Sequence, residues 1–446
     1  MILKKYQRHR EKVTADSQIS ELRTVFEQVK DSRRSNIQYS LPDICMSGYA
    51  LFALKHDSLL SFETQTKAEK HNLETVFGLK QLPSDTQLRA VLDRVDPTFL
   101  RNQLAVKFET LRKTGIIKEF GYAIGAKTYH LLSCDGVQHF SSKKNNCPCC
   151  LVKKHRDGSH TYHHQMLCAA MVHPDKKEVF LMDAEPIKQQ DGTSKNDCEL
   201  NAAKRLHKHL FEQYETHTQK YRFLILEDAL YANQPHIQLL ESKGFDYILN
   251  VKPKSHKTLF NYINHKRKAG KLATFSYEKD GVKHEFEYLN NVLLNNSHPD
   301  LRVNFLRYVE TDKKGKKTVF TWVSNIRMRQ NRLTAIMRAG RARWKIENET
   351  FNTLKNLGYH FNHNFGHGKD HLSTMFAFLM FIAFYNDQLI AACSVHFKQL
   401  QQKLKTKLKI WQSIKAIFHT VRIYSFKEVY QKMAILFQIK LKRLSP

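Results

Sequence analysis

The segment Phe223-Leu224-Ile225-Leu226-Glu227-Asp228 decides the architecture. Four successive apolar residues without alternation read as a strand buried on both faces, which belongs in an α/β sheet covered by helices. The neighbouring chain agrees. Upstream, apolar runs at Tyr129 to Cys134, Met166 to Val172 and Val179 to Met182 follow one another as strands. A helical period then runs from about Asp197 through Ala202, Leu206 and Leu210 to Tyr214. Downstream, Pro235 to Lys243 reads as a helix ended by Gly244, and Tyr247-Ile248-Leu249 as another strand. The order is βββαβαβ.

Working outward, residues 1–120 show helical periodicity, with Ser84-Asp85-Thr86 opening a helix before Leu88, Val91 and Leu92. They form a helical N-terminal region. Residues 121–258 hold the first part of the core, and residues 259–325 alternate as sheet does, for instance at His284-Glu285-Phe286-Glu287-Tyr288, so a β-rich insertion is expected. Helix signals resume over 326–395, through Arg341 to Lys355. Met375 to Phe384 is apolar but short of the roughly 18 residues that a membrane span needs, so it reads as a buried helix. Residues 396–446 form a basic tail, in which Leu404, Leu408, Trp411, Ile414 and Ile417 mark an amphipathic helix.

The chain has 446 residues, and 72 Lys and Arg face 42 acids, a formal charge of +30. Such self-repulsion points to a polyanionic partner, nucleic acid before an anionic membrane. Eight cysteines, three of them crowded at Cys147, Cys149 and Cys150, make no disulfide framework and suit a reducing cytoplasm. The N-terminus has no apolar run of the signal-peptide kind, so secretion is not expected.

Three acids stand where chemistry is plausible. Asp135 follows the strand Leu131-Leu132-Ser133-Cys134, Asp228 follows Phe223 to Leu226, and Glu347 lies in the helical stretch Arg343 to Glu349. A lone Asp at a strand end commonly caps a turn or helix, so only their joint placement argues for a site. Two Asp on a sheet and one Glu on a helix suit two hard divalent cations, Mg²⁺ or Mn²⁺, clamping a phosphoryl displacement.

Those three segments, Leu132-Ser133-Cys134-Asp135-Gly136, Leu226-Glu227-Asp228-Ala229-Leu230-Tyr231 and Arg343-Trp344-Lys345-Ile346-Glu347-Asn348, resemble the acidic motifs of DDE transposases of bacterial insertion sequences. More closely, the chain looks like the branch with a β-rich insertion between the second Asp and the Glu, here 119 residues apart. Lys195-Asn196-Asp197-Cys198-Glu199 and His363-Asn364-Phe365-Gly366-His367-Gly368 add softer support. The resemblance implies a ribonuclease-H-like catalytic core with Asp135, Asp228 and Glu347 as metal ligands. It also implies hydrolysis at the element end, attack by the freed 3′-hydroxyl on target DNA, and a homodimer acting at the nucleoid. A catalytically inactive DNA-binding derivative and a nuclease without strand transfer are the alternatives.

The branch carries a Tyr-Arg-Glu-Lys signature with two, three and six residues intervening. Arg343 and Glu347 match it and share a helical face, so Arg343 is a candidate phosphate ligand. Gly340 stands where Tyr is expected and Leu354 where Lys is expected, with Lys355 one residue late. Glu349 is the rival acid, about 200° around a regular helix from Glu347. Trp344 reads as packing before base stacking. Lys252 and Lys254 follow a strand end and are candidates to track a DNA backbone.

Cys147 and Cys150, with His160 and His163 beyond, offer tetrahedral zinc chemistry, so a structural zinc clip competes with a reduced, solvated hairpin. His163 and His164 are alternatively placed to approach the carboxylates.

Overall fold

In the computed structural model, residues 4–33, 37–188, 198–218 and 220–441 are described. The string from Lys195 to Asp197, where the long helix was expected to open, lies outside them. The first strands are β1 (Tyr122–Ile124), β2 (Lys127–Ser142), β3 (Leu151–Lys154), β4 (His160–Val172) and β5 (Phe180–Ile187). After the helix Glu199–Thr218 comes β6 (Arg222–Glu227), and after the helix Gln234–Ser242 comes β7 (Asp246–Asn250). This is the βββαβαβ order with two small additions, β1 and β3, both short enough to escape a periodicity reading.

The strands join in the order β5-β4-β2-β6-β7. β4 runs antiparallel to both β5 and β2, while β2, β6 and β7 are parallel. Consecutive residues of β5 and β6 are buried, so helices must cover both faces. Those covers are fastened by charge as well as by packing. On β5, Asp183 takes a two-pronged contact from Arg101 at 2.7 and 2.8 Å and a third from His209 at 2.8 Å, while Glu185 binds Arg101 and Arg205 at 2.5 Å each. Buried carboxylates are tolerated there because every oxygen has a cationic donor.

The expected insertion is strand-rich, but it opens with the helix Lys257–Lys268, where alternation from Phe260 had suggested sheet. Leu259 and Ile263 alone are its buried residues, too sparse a stripe to announce a helix among so many lysines. Strands β8 (Ala273–Lys279), β9 (Val282–Leu293), β10 (Arg302–Thr311) and β11 (Lys317–Ser324) follow as an antiparallel meander. β11 pairs with β7, so the meander continues the core sheet. Phe286, Tyr308 and Trp322 are buried, and rings stack across the strands from Tyr277 through His284 and Tyr308 to Phe320 and Trp322.

The basic tail is three helices, Val395–Leu404, Lys407–Thr420 and Phe426–Leu436, rather than one. Thr406 and Ser425 cap the second and third, and the chain turns back onto the N-terminal helices Ala15–Glu27 and Leu59–Phe77. Trp411, Ile414 and Ile417 are buried as the pattern suggests, while Leu408 stays exposed. Ser84 caps its helix as expected, accepting the amide of Gln87.

Among the described residues one helix, Leu372–Cys393, is long and apolar enough to cross a membrane, but 89% of its apolar window is buried inside the protein. It packs on the helices Leu41–Ala53 and Thr98–Lys113 and on β5. Its first turn is capped from a distance. Asp93 accepts the backbone amides of Lys369 at 2.7 Å and of Asp370, His371 and Leu372 at 3.0 Å each. Burial pushes this carboxyl up, yet the four amides outweigh it and hold it below the ordinary 3.8.

Asp93→Ala is expected to cost about 1 to 2 kcal/mol near neutral pH, the loss of a helix cap. A lowered carboxyl contributes stability above its ordinary range and loses it on acidification. The gap between parent and variant in urea unfolding should therefore close as the pH falls below about 3.8.

Candidate active site

Ser133 on β2 pairs in parallel register with Leu226 on β6. Two residues on in each chain stand Asp135 and Asp228, so both emerge at the same level on neighbouring strands spaced by roughly 5 Å. Asp228 begins the turn after β6, its carboxylate accepting the amide of Leu230 at 2.8 Å. Glu227 beside it is fully buried and is held by His207 at 2.7 Å and His236 at 2.6 Å. Burial pushes Glu227 up, but the two imidazoles prevail and hold it at about 2. The end of β6 is thereby pinned on its inner side.

The third acid arrives on an altered helix. A regular helix covers Gln330–Ala342, but Ile346–Phe351 is a π-helical turn before the short helix Asn352–Asn356, so the single regular helix expected through Lys355 does not form. The Ser133 hydroxyl donates to the Arg343 carbonyl at 2.8 Å, anchoring the widened turn to β2 beside Asp135. Such turns mark functional sites because they re-aim side chains without ending a helix.

Arg343 joins two of the acids. Its guanidinium donates to Asp135 at 3.1 Å and to Glu347 at 2.7 Å. The Arg343 side chain is 7% exposed against 24% for Asp135 and 36% for Glu347, so the cation lies beneath and the carboxylates face the opening. Burial pushes Asp135 up to about 7; Arg343 opposes this and the neighbouring Glu347 reinforces it. A hard, oxygen-rich, like-charged pair of this kind fits a divalent cation. Glu349 looks elsewhere, its charge acting on Lys407.

Asp228 makes no bond to that trio, and a fourth acid lies between them. Glu199 opens its helix so close to β2 that a Cβ on Gly136 would sit 2.7 Å from its Oε1. It accepts the Tyr231 hydroxyl at 3.3 Å, and burial first, then the charge of Asp228, push it above its usual range. Strand and helix periods did not single it out, and the string ending Cys198-Glu199 was its signal.

Lys252 and Lys254 are exposed and line, with Asp228, Asn233 and Lys257, one cleft of about 740 Å³. His256 fixes their loop, accepting the Lys252 amide at 3.2 Å and donating to the Ala232 carbonyl at 3.0 Å. Trp344, expected in packing, is 47% exposed with the Arg343 guanidinium 5.1 Å from its ring. At the two signature departures, Gly340 faces the Trp322 indole, 2.7 Å from where a Cβ would lie, and Leu354 is fully buried. Lys355 is half-buried on the helix Asn352–Asn356.

The Cys/His expectation needs correcting in its histidines. Cys147 and Cys150 meet His164 and His367. His160 is exposed at the start of β4, opposite Lys154, and His163 pairs with Leu151 on the strand face opposite to His164. His164 therefore turns to the cysteines.

The family model described as Transposase DDE domain matches residues 137–385, a span that starts just past Asp135 and contains Asp228 and Glu347. No curated protein matches the chain.

Introducing the signature tyrosine, Gly340→Tyr, is expected to destabilise the protein by about 2 kcal/mol or more through overpacking against Trp322. In a Trp322→Ala background the same change should cost clearly less, a coupling readable from four urea unfolding curves.

Proposed function

The chain belongs to the transposase DDE-domain family, whose model spans more than half of it, and we propose that it is a DNA transposase that cleaves at insertion-sequence ends and transfers the strand into target DNA. The observation that carries this reading is the shared guanidinium. Asp135 and Glu347, separated by 212 residues of chain, meet on Arg343, with Asp228 at the matching level of the next strand. The strand order β5-β4-β2-β6-β7, antiparallel at its first two junctions and parallel at its last two, supports a ribonuclease-H-like core.

In this reading Asp135, Asp228 and Glu347 hold two divalent ions, Mg²⁺ or Mn²⁺. When bound, these would supply the positive charge that an in-line displacement at phosphorus needs. The chain's own groups do the remainder. Arg343 keeps two carboxylates converged and offers a planar fork to a phosphate. Lys252 and Lys254, in the cleft beside Asp228, hold the DNA backbone leading inward, and Lys355 stands in for the signature lysine. The helical N-terminal region and the basic tail packed against it bind double-stranded DNA. Two element ends must be joined, so the DNA complex is a homodimer, working in the cytoplasm at the nucleoid.

With DNA carrying the element ends, Mg²⁺-dependent nicking is expected, falling about a thousandfold or more in Asp135→Asn, Asp228→Asn and Glu347→Gln while DNA binding persists. Undiminished cleavage by these variants refutes the assignment. Binding without any cleavage by the parent would identify an inert derivative, and cleavage without joined product a nuclease.

A further inference from the structure

We propose that Cys147, Cys150, His164 and His367 hold one structural zinc ion, which ties the hairpin between β2 and β4 to the loop that follows the π-helical turn. The four side chains come from three separate parts of the chain, and their ligand atoms all lie within 4.8 Å of one another. The spacing is informative. Zinc bonds of about 2.3 Å to sulfur and 2.0 to 2.1 Å to nitrogen put tetrahedral edges at roughly 3.8 Å for S···S, 3.6 Å for S···N and 3.3 Å for N···N. The Cys147 and Cys150 sulfurs are 3.7 Å apart, and the Nε2 atoms of His164 and His367 are 3.2 Å apart. His164 Nε2 lies 3.5 Å from Cys147 and 3.4 Å from Cys150, and His367 Nε2 lies 3.2 Å from Cys150.

Chemistry selects the ion. Two thiolates and two neutral imidazoles are a borderline-soft set that suits zinc and disfavours magnesium. Their two negative charges cancel those of Zn²⁺, so a neutral unit can occupy a site where Cys150 and His164 are buried. The two sulfurs are unbonded at 3.7 Å, against about 2.05 Å in a disulfide. With four protein ligands no position is left for substrate, so the role is structural.

The mechanical effect follows from where His367 sits. Its loop runs from the helix Asn352–Asn356 to the helix Leu372–Cys393. Asp93 grips the far end of that loop through the amides from Lys369 to Leu372. Zinc would grip the same end two residues earlier, tying it to β4 and to the hairpin that follows β2, the strand that carries Asp135. Phe140 on β2 packs its ring 4.5 Å from that of His367, extending the contact into the sheet.

Full-length protein purified without a histidine tag should carry about one equivalent of zinc by mass spectrometry. Cys147→Ser, Cys150→Ser, His164→Ala and His367→Ala should lose it, while Cys149→Ser, His160→Ala and His163→Ala keep it. Should ligand variants fail to fold, chelation of the parent and refilling with Co²⁺ gives a second readout. Intense visible bands of tetrahedral cobalt with thiolate charge transfer, and metal protection of Cys147 and Cys150 but not Cys149 from alkylation, are expected. Less than about half an equivalent of zinc, or full retention in folded His367→Ala, overturns the proposal. None of these readouts depends on DNA cleavage, so they stand apart from the transposase reading.

Discussion

One buried guanidinium organises the candidate site. Arg343 cannot lose its charge, and it is enclosed between a strand and a widened helical turn, so burial would be costly without two anionic partners. That requirement runs both ways. Asp135 and Glu347 repel one another, and the cation between them lets both approach one opening. The rest of the neighbourhood reads as support: Ser133 holds the Arg343 backbone, and the two histidines on Glu227 hold the end of β6 where Asp228 emerges.

The opening carries two kinds of charge in adjacent layers. Carboxylates gather midway along β2, at the level where β6 ends, and exposed lysines line the cleft beside Asp228. A polyanion would be drawn by the outer layer and meet the inner one only where cations neutralise it. Glu199 belongs to the inner layer, wedged between the glycine after Asp135 and the turn after Asp228.

Much of this was legible from the residues. The unbroken apolar run Phe223 to Leu226 marked a doubly covered strand, whereas its parallel register with β2, which sets Asp228 level with Asp135, is a long-range pairing that strand period does not give. What periodicity does not encode was missed. The π-helical turn departs from the 3.6 repeat and was not foreseen, although Arg343 and Glu347 share a face as expected. Trp344 stayed in solvent. The zinc-ligand candidates show the limit most plainly: His160 and His163 were chosen by nearness in sequence, whereas the sheet turns His164 the other way and tertiary folding brings in His367 from 203 residues downstream. Strand signals also overran the helix Lys257–Lys268, whose buried stripe is only two residues wide.

The pairing of β11 with β7 has a mechanical corollary. Trp322, Val323 and Ser324 lie in register with Asn250, Leu249 and Ile248, so strand pairing continues from the acid-bearing strands to the outermost strand of the meander, with one register shift between Val303 and Phe305. Any swing of that meander would have to tear this seam, and with it the Ser324 hydroxyl's 2.5 Å bond to the Tyr247 carbonyl. The lamina therefore behaves as a stiff plate.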